Sequence, residues 1–364
     1  MTTKRKIRVL IVDDSAVIRK ILSEILSSDD EIEVVGTAID PYIARDKIKR
    51  LHPDVLTLDV EMPKMNGISF LKNLMRLRPM PVIMVSSLTQ KGADVALEAL
   101  GLGAIDYVGK PDAKSKNKLS DYAEEIISKV KIAASTSKDL EIGGGIQRNF
   151  KPSTGTPSTI KSLTTDCSQE IIAIGASTGG TEAIKDILIN LQPASFSMVI
   201  VQHIPKAFSK AFADRVNNLT TLEVEEAIDK QKILPGHVYV APGDQHLTIV
   251  KRKDSYYCRL EDSEPYNRHK PSVDVLFRSV CKHAGNNAIG VLLTGMGSDG
   301  ARGLKELQDS GAITIAQDEH SSIVWGMPGE AVKLQAADYV LPLDIIPDKL
   351  TTLISRNNKN SNKS

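Results

Sequence analysis

The amino-acid sequence predicts a two-domain α/β protein, in which a (βα)5 domain precedes a doubly wound, mostly parallel α/β domain with a small β-hairpin. Short apolar runs alternate with helical patterns over the first 134 residues, and the same alternation resumes near residue 170. A stretch rich in Ser, Thr, Gly, Lys and Pro lies between the two patterns. A chain of 364 residues is also long for a single hydrophobic core, which favours two domains.

Short apolar runs in the first half have the length of strands buried in a parallel sheet. The predicted strands are Val9–Val12, Glu33–Gly36, Val55–Leu58, Val82–Val85 and Ile105–Val108. Between them, apolar side chains recur at helical spacing and indicate crossover helices. Two such sets are Val17, Ile18, Ile21, Leu22, Ile25 and Leu26, and then Ile68, Leu71, Leu74 and Met75. Leu119–Ala134 has the spacing of a closing helix, which completes a flavodoxin-like (βα)5 domain.

The second half repeats the alternation of strands and helices. Its predicted strands are Ile171–Ile174, Met198–Gln202, His237–Val240, Ala288–Leu293 and Ala312–Ala316. Glu182–Leu191 and Ala301–Asp309 are predicted helices that cover the sheet. Thr248–Val250 and Tyr256–Leu260 alternate apolar and polar residues around a turn, which indicates a small hairpin.

Composition places the domain boundaries. Residues 135–168 are too polar and too rich in glycine and proline to offset chain entropy by burial, so we expect a flexible linker. The first domain is then expected over residues 1–134 and the second over 169–355, with a polar tail at 356–364.

Overall composition excludes several classes of protein. Hydrophobic residues make up 41% and charged residues 25% of the chain, and a formal net charge of +1 gives no general affinity for nucleic acid or for a membrane surface. Three cysteines lie far apart, without metal-ligand spacing, which favours a reducing, cytoplasmic setting. The sequence contains no apolar run of about 18 residues, so no membrane-spanning helix is predicted. The N-terminus lacks the pattern of a secretory signal.

Charged and hydroxyl side chains follow the predicted strands of the first half. Asp13, Asp14, Asp59, Ser86 and Lys110 all fall at carboxyl ends, which meet at one edge of a parallel sheet. Converging carboxylates repel each other unless a hard cation lies between them, and Mg²⁺ is the natural occupant. Asp59 can then attack phosphorus to form an aspartyl phosphate, with Lys110 and the Ser86 hydroxyl binding phosphoryl oxygens.

A serine, a histidine and an aspartate follow strands of the second half. Ser177 lies in the glycine-rich turn Gly175–Gly180 between a strand and a helix, His203 ends another strand, and Asp299 lies in a glycine-rich loop after a third. These residue types form the relay that activates an alcohol for acyl transfer. An oxyanion could bind to the backbone amide of Met296 and to the N-terminus of the helix that follows the Ser177 turn.

Each of these residues also has an ordinary structural interpretation. A glycine-rich turn between strand and helix resembles a dinucleotide loop or carries no chemistry, and a lone histidine at a strand end is often a surface residue. His269 and Lys270 could line a substrate cleft or belong to a solvated loop, so they are left outside the catalytic set.

The first half resembles the receiver domain of bacterial response regulators across residues 5–133. The signatures are Val12–Ser15, Leu58–Pro63, Val85–Ser87 and Gly109–Pro111. The resemblance implies that Asp59 accepts phosphate from a histidine kinase. It also implies Mg²⁺ held by Asp14, Asp59 and the backbone carbonyl of Glu61, with Asp13 acting through water.

The second half resembles the catalytic domain of chemotaxis protein-glutamate methylesterases, which also deamidate glutamine, across residues 170–350. The matching segments are Gly175–Gly180, Gln202–Pro205, Leu234–Gly243, Arg268–Asp274 and Gly295–Gly300. The resemblance implies Ser177 as nucleophile, His203 as general base and then acid, Asp299 as the residue that orients it, and the Met296 amide in the oxyanion hole. Gly329 departs from the family pattern, in which an arginine usually precedes the glutamate, and we expect its effect on receptor binding rather than on chemistry.

The resemblance implies a phosphorylation-regulated serine hydrolase in chemotaxis. Its substrates would be γ-glutamyl methyl esters and glutamines on the cytoplasmic helices of methyl-accepting chemoreceptors, without a cofactor for the hydrolysis. Three other classes stay open: a receiver with a DNA-binding output, a nucleotide-binding domain, and a non-catalytic adaptor. The second half lacks a basic recognition helix, which argues against a DNA-binding output. A nucleotide-binding domain would have an acidic residue that binds the ribose where this chain has Gln202–His203. An adaptor would tolerate the loss of Ser177.

Overall fold

The computed structural model describes residues 5–62, 65–87, 89–110, 116–136, 170–192 and 196–361. Contacts divide the chain into two compact units, Met1–Arg148 and Asn149–Ser364. From residue 137 onward the predicted linker lies outside the described residues, as do residues 362–364 of the predicted tail. Within the described parts of the chain, no helix combines the length and the apolar character that crossing a membrane requires.

The first unit is a five-stranded parallel sheet with a helix after each strand. Its strands are β1 (Ile7–Val12), β2 (Ile32–Ala38), β3 (Val55–Asp59), β4 (Val82–Ser86) and β5 (Asp106–Gly109). Its helices are α1 (Ala16–Ser27), α2 (Pro41–Leu51), α3 (Gly67–Leu77), α4 (Gln90–Gly101) and α5 (Lys116–Ser135). The sheet order β2-β1-β3-β4-β5 is that of a flavodoxin-like fold, which confirms the predicted class.

Local sequence explains the starts of these helices and the face that they bury. The side chains of Ser15 and Asp40 each accept a backbone N–H of the helix that follows, so they act as N-caps. In α1, Leu22 and Leu26 are buried, but Val17 is 61% exposed although it was predicted on the same face. Val17 precedes Leu22 by five positions, and this places Val17 about 140° around the helix from Leu22.

The second unit is a seven-stranded sheet in which all neighbouring strands are parallel. Its strands are β6 (Glu170–Ala176), β7 (Phe196–Gln202), β8 (Glu223–Glu226), β9 (His237–Val240), β12 (Ala288–Leu292), β13 (Ile313–Gln317) and β14 (Tyr339–Leu341). The helices are α6 (Gly180–Ile189), α7 (Lys206–Asn217), α8 (Val273–His283), α9 (Ala301–Asp309), α10 (Met327–Lys333) and α11 (Ile346–Ser361). The predicted hairpin is present as antiparallel β10 (His246–Arg252) and β11 (Ser255–Glu261).

Strand order in this sheet is β14-β13-β12-β6-β7-β9-β8, so the winding reverses beside β6. The chain proceeds outward from β6 through β7 and later returns to place β12 on the other side of β6. Such a reversal opens a crevice at the carboxyl ends of the central strands, where ligands bind in doubly wound sheets. The ends of β6, β7 and β12 are therefore the part of this unit best placed for chemistry.

The two edge strands and the chain end differ from the prediction. β8 has the polar sequence Glu-Val-Glu-Glu. β14 is apolar but only three residues long, and its Val340 is 44% exposed. An edge strand can be polar because one of its sides faces solvent. Helix α11 continues to Ser361, into the region predicted as a polar tail.

Candidate active site

Strand pairing brings Ser177 and His203 side by side. In the register between β6 and β7, Ala176 lies opposite Gln202. The residues that follow them, Ser177 and His203, are therefore neighbours at the ends of the two strands. The backbone N–H of His203 donates to the carbonyl of Ala176 at 3.0 Å. The Gln202 side chain donates to the Ser177 carbonyl at 2.9 Å, which ties the glycine-rich turn to the end of β7.

The loop after β12 lies against the other side of Ser177. The Ser177 N–H donates to the Thr294 carbonyl at 3.0 Å. A Cβ placed on Gly295 would lie 2.8 Å from the Cβ of Ser177, closer than real side chains pack. Only glycine therefore permits this approach, and it places the neighbouring residue, Met296, beside the serine turn. Met296 as a whole residue is 40% exposed.

A hydrogen bond joins His203 to Asp299. Nε2 of His203 lies 2.9 Å from Oδ2 of Asp299, and the two side chains are only 9% and 0% exposed. Because the carboxylate accepts, Nε2 carries the proton and Nδ1 keeps a lone pair. Nδ1 is buried and has no hydrogen-bond partner among the described residues, and no bond to the Ser177 hydroxyl is formed. Two of the three predicted residues are thus hydrogen-bonded, and the third lies at the adjacent strand end.

Asp299 occupies a site that strongly favours its ionised form. Beside His203, it accepts hydrogen bonds from the Ser272 hydroxyl at 2.8 Å and from the backbone N–H of Val273 at 2.7 Å. Burial by itself raises the pKa of Asp299, but these hydrogen bonds and the interaction with His203 outweigh it and hold the pKa below its ordinary value. Ser272 and Val273 form the start of α8, whose positive dipole end adds to the stabilisation of the anion.

A tight turn between residues 266 and 269 contacts both His203 and Asp299. The His269 ring stacks on the His203 ring with centroids 3.9 Å apart and planes inclined by 9°. The Asn267 side chain donates to Asp299 at 3.2 Å and to Asp274 at 2.8 Å. The sequence prediction left His269 out of the site and overlooked Asn267. The sequence near this turn contains one indication of the site: Ser272 is a typical N-cap before the periodic apolar residues of α8, and it marks the helix start that binds Asp299.

A metal ion is a poor fit to this cluster. Ligand atoms of His203, His269 and Asp299 lie within 4.8 Å of one another. However, an imidazole binds a metal in the plane of its ring, and a single ion cannot lie in two parallel planes that are stacked face to face. Asp299 also already accepts several hydrogen bonds from protein donors. The geometry favours a proton relay.

Gly329 is buried within the packing of this unit. A Cβ on it would lie 3.1 to 3.2 Å from atoms of the Trp325 indole, so a side chain would push against that ring. Trp325 donates from its indole to the Gln317 carbonyl at 3.1 Å, and its backbone bridges Gly295 in the loop beside Ser177. The glycine thus allows close packing behind that loop.

The first unit holds its own cluster of acidic groups at the carboxyl ends of β1 and β3. Asp59 is fully buried and accepts a hydrogen bond from Lys110 Nζ at 2.8 Å and one from the Glu61 N–H at 3.2 Å. Burial raises the pKa of Asp59 to about 6, and Asp13 adds to the rise while Lys110 opposes it. Ser86 is buried at the end of β4 and donates to the Gly92 carbonyl at 2.9 Å.

These residues fit a divalent cation with oxygen ligands. Carboxylate oxygens of Asp13, Asp14 and Asp59 lie within 4.8 Å of one another. Oδ2 of Asp13 is buried without a hydrogen-bond partner among the described residues, although Lys110 Nζ lies 3.6 Å away. Burial also raises the pKa of Asp13, more than the charge of Lys110 lowers it. A hard cation would satisfy this oxygen and relieve the repulsion among the carboxylates.

Comparison with known proteins finds two matching families. The family described as CheB methylesterase matches residues 172–350, and the response regulator receiver domain matches residues 9–120. A protein-glutamate methylesterase/protein-glutamine glutaminase from Hydrogenovibrio crunogenus is 54% identical over 96% of this chain and 100% of its own length. One from Saccharophagus degradans is 54% identical over 93% of this chain and 96% of its own. The crystal structure of the Thermotoga maritima CheB methylesterase catalytic domain is 38% identical, covers 51% of this chain and 99% of that chain, and has a TM-score of 0.50.

Proposed function

Because this chain belongs to the protein-glutamate methylesterase/protein-glutamine glutaminase family, we propose that Ser177, His203 and Asp299 carry out its hydrolytic reaction. The resemblance inferred from sequence motifs is thereby confirmed for both halves of the chain. The protein is an enzyme that hydrolyses glutamyl methyl esters and glutamine amides in proteins, and it carries a response-regulator receiver domain. The residues that do the chemistry, the substrate protein and the mode of regulation are the subject of the proposal.

The proposed reaction begins at the Ser177 hydroxyl. Its oxygen attacks the ester carbonyl carbon while Nδ1 of His203 takes the hydroxyl proton, and Asp299 stabilises the resulting imidazolium through Nε2. The carbonyl oxygen becomes an oxyanion that the Met296 amide and the N-terminus of α6 stabilise. His203 returns the proton to the leaving methoxide, the acyl bond passes to Ser177, and methanol departs. Water then attacks the acyl-enzyme in the same manner and releases glutamate; with glutamine the first leaving group is ammonia.

The observation that carries this proposal is the 2.9 Å hydrogen bond between His203 and Asp299 beside the turn that bears Ser177. It supports a fixed tautomer, with the unpartnered Nδ1 as the nitrogen that accepts a proton. A hydroxyl–imidazole hydrogen bond is often loose without substrate, so the open contact is compatible with a working relay.

The substrate proposed is a methylated or amidated side chain on a chemoreceptor's cytoplasmic helix. This rests on the resemblance to chemotaxis methylesterases, which implies chemoreceptor substrates, and on the exposed loop around Met296 beside the serine. The catalytic domain is proposed to span residues 169–355, and the receiver domain residues 1–134.

The receiver is proposed to regulate the enzyme through phosphorylation of Asp59 by a histidine kinase. Asp13, Asp14, Asp59 and the Glu61 carbonyl would hold Mg²⁺, which when bound offsets the negative charge of the phosphoryl group. Lys110 already binds Asp59 and would bind a phosphoryl oxygen, and the Ser86 hydroxyl would bind a second one.

The proposal predicts that Ser177→Ala abolishes methanol release from membranes that contain methylated receptors. Loss of the nucleophile typically lowers kcat by about 10⁶-fold in serine hydrolases, which is below detection in this assay. Ser255→Ala is the matched control, because Ser255 starts β11 in the hairpin, outside the site. A Ser177→Ala enzyme that releases methanol at the wild-type rate would rule out the serine mechanism and leave an adaptor role for this domain.

A further inference from the structure

His269 makes a contact with His203 that the proposed relay does not require. The two imidazole rings are face to face, with centroids 3.9 Å apart and planes within 9° of parallel. The hydrogen bond to Asp299 fixes only the direction of one ring nitrogen, because a single hydrogen bond defines a line and not a plane. A flat ring packed against the face of His203 fixes the plane as well. The two contacts together leave the imidazole little freedom to rotate.

The turn that carries His269 is built to hold it there. Tyr266 and His269 exchange two backbone hydrogen bonds, of 2.9 and 3.1 Å, and the residues between them, Asn267 and Arg268, have φ angles of +52° and +66°. Positive φ at both central positions is the requirement of a type I′ turn, and it is unfavourable for residues with a Cβ atom. Non-glycine residues held in this region cluster at functional sites.

Two further contacts anchor this turn. The Tyr266 hydroxyl accepts a hydrogen bond from Arg278 of α8 at 2.6 Å, and the guanidinium lies 4.9 Å from the centre of the Tyr266 ring. From the centre of the turn, the Asn267 side chain donates to Asp299 at 3.2 Å. The same short turn is thus fixed to α8 and to the aspartate that binds His203.

We propose that His269 is a positioning residue, whose stacked ring holds the plane of the His203 imidazole so that Nδ1 can accept the proton of the Ser177 hydroxyl. This inference rests on the proposed function. It assigns His269 no bond to the substrate and no proton transfer of its own. Its effect is therefore on the chemical step, which depends on the orientation of the base, and not on receptor binding.

The charge that His203 gains during the reaction sets a second requirement. An imidazolium within about 6 Å of an aromatic face is attracted to it, so a flat aromatic ring at position 269 stabilises the protonated base. Phenylalanine offers the same flat face, and alanine offers none. Lysine would place a positive charge beside the imidazolium.

The test measures kcat and KM for methanol release by the full-length enzyme and its variants. His269→Ala is expected to lower kcat about tenfold and to leave KM within about twofold of wild type. His269→Phe should recover kcat to within about threefold of wild type, and His269→Lys should fall below the alanine variant. His237→Ala is the matched control, because His237 also packs near-parallel to an aromatic ring, that of Tyr239 at 6.0 Å, but lies on β9 away from the site.

A second readout needs no receptor. A small fluorophosphonate reacts with an activated serine: the Ser177 oxygen bonds to phosphorus, fluoride leaves and His203 takes the hydroxyl proton. The rate of this labelling should follow the order of kcat among the variants. Trp325 fluorescence reports whether each variant is folded, and if His269→Ala is not, the comparison of His269→Gln with His269→Phe replaces it, since only the second keeps a ring.

Several outcomes would overturn the inference. These are a wild-type kcat for His269→Ala, a raised KM with kcat unchanged, or equal losses for the alanine and phenylalanine variants. The Ser177→Ala variant distinguishes failure of the inference about His269 from failure of the proposed function. If Ser177→Ala is inactive and His269→Ala is fully active, the role of His269 alone is wrong. If Ser177→Ala is active, the relay does not exist and neither does the role of His269.

Discussion

Two buried aspartates, Asp59 and Asp299, have pKa values shifted in opposite directions. Both are removed from water, which favours the neutral acid. Asp299 offsets this with a histidine, a hydroxyl and the first amides of α8, so its pKa falls below the ordinary value. Asp59 has one lysine and one backbone amide beside a second carboxylate, and its pKa rises to about 6. The first carboxylate suits a permanent orienting anion, and the second is a site that a cation or a phosphoryl group would complete.

Asp59→Asn is expected to stabilise the receiver unit at neutral pH when Mg²⁺ is removed by a chelator. A pKa raised from 3.8 to about 6 means that the folded state binds more protons than the unfolded state between these values. The contribution of Asp59 to the free energy of unfolding is therefore fully present below pH 4 and is lost as pH rises through 6, a decrease of about 3 kcal/mol. Asparagine does not ionise, so the variant does not undergo this decrease. Calorimetry should show the receiver transition about 10 °C higher in the variant at pH 7.5, with the difference gone near pH 4.

The control for this experiment is Asp14→Asn, because the Asp14 side chain is exposed and should change stability little. The chain has a single tryptophan, Trp325, which lies in the second unit and so identifies the other thermal transition by fluorescence. Adding Mg²⁺ should raise the wild-type transition more than that of Asp59→Asn. An asparagine variant no more stable than wild type would contradict the pKa direction of Asp59.

The elements that carry the site are three loops at strand ends and one helix N-terminus. β6, β7 and β12 are neighbours, so the residues that follow them meet at one edge of the sheet. The loop after β12 can approach the Ser177 turn only because residue 295 has no side chain. Helix α8 points its first amides at Asp299, so packing of this helix also sets the electrostatics of the site.

Gly295→Ala is expected to lower the rate of methanol release at least tenfold while the enzyme stays folded. The added methyl group would lie 2.8 Å from the Cβ of Ser177 and 2.4 Å from the Met327 sulfur, so the loop and the serine turn must separate. A displacement of about 1 Å at a catalytic group can cost about 100-fold in rate. Steady-state kinetics with a fluorescence melting curve for each variant measures both effects.

Gly285→Ala is the matched control for this change. A Cβ at that position meets nothing within 4 Å, but φ is +54°, so alanine is strained there by about 1 kcal/mol. We expect this variant to lose stability and keep its rate. Unchanged kinetics in Gly295→Ala would show that the loop can yield without moving the serine.

At the scale of the whole molecule, one chain combines a proposed phosphorylation site and a proposed hydrolytic site, each at the edge of its own parallel sheet. The two sites consist of different residues, so either one can be substituted alone. We propose that a phosphoryl group on Asp59 alters the rate of hydrolysis by shifting the populations of conformations.

Phosphorylation is expected to raise the rate of methanol release. A small acyl phosphate with Mg²⁺ should accelerate the wild-type enzyme about tenfold, within the usual range of coupling between sites, and should not accelerate Asp59→Asn. Asp46→Asn is the control, because this aspartate is an exposed residue of α2 with a side chain 72% exposed. A response that persists in Asp59→Asn would assign the phosphoryl group to another residue.

The sequence by itself determined the class of both sheets and the positions of their central strands, and it placed the candidate reactive residues at the strand ends. These features follow from local patterns, since buried parallel strands are apolar runs and chemistry-bearing side chains follow them directly. Edge strand β8 was missed because three of its four residues are glutamates, and β14 because its apolar run is only three residues long. The site contained more than the motifs indicated, because Asn267 and His269 belong to a polar loop whose sequence resembles any solvated turn.

Only the tertiary structure decided how the reactive groups are connected. It shows which nitrogen of His203 bonds to Asp299, that the Ser177 hydroxyl has no bond to the imidazole, and that His269 stacks on the same ring. These contacts join residues from distant parts of the chain, and they depend on packing geometry at the level of an ångström. Periodicity along the sequence reports which face of an element is buried, but it contains no information about the distance between two such faces.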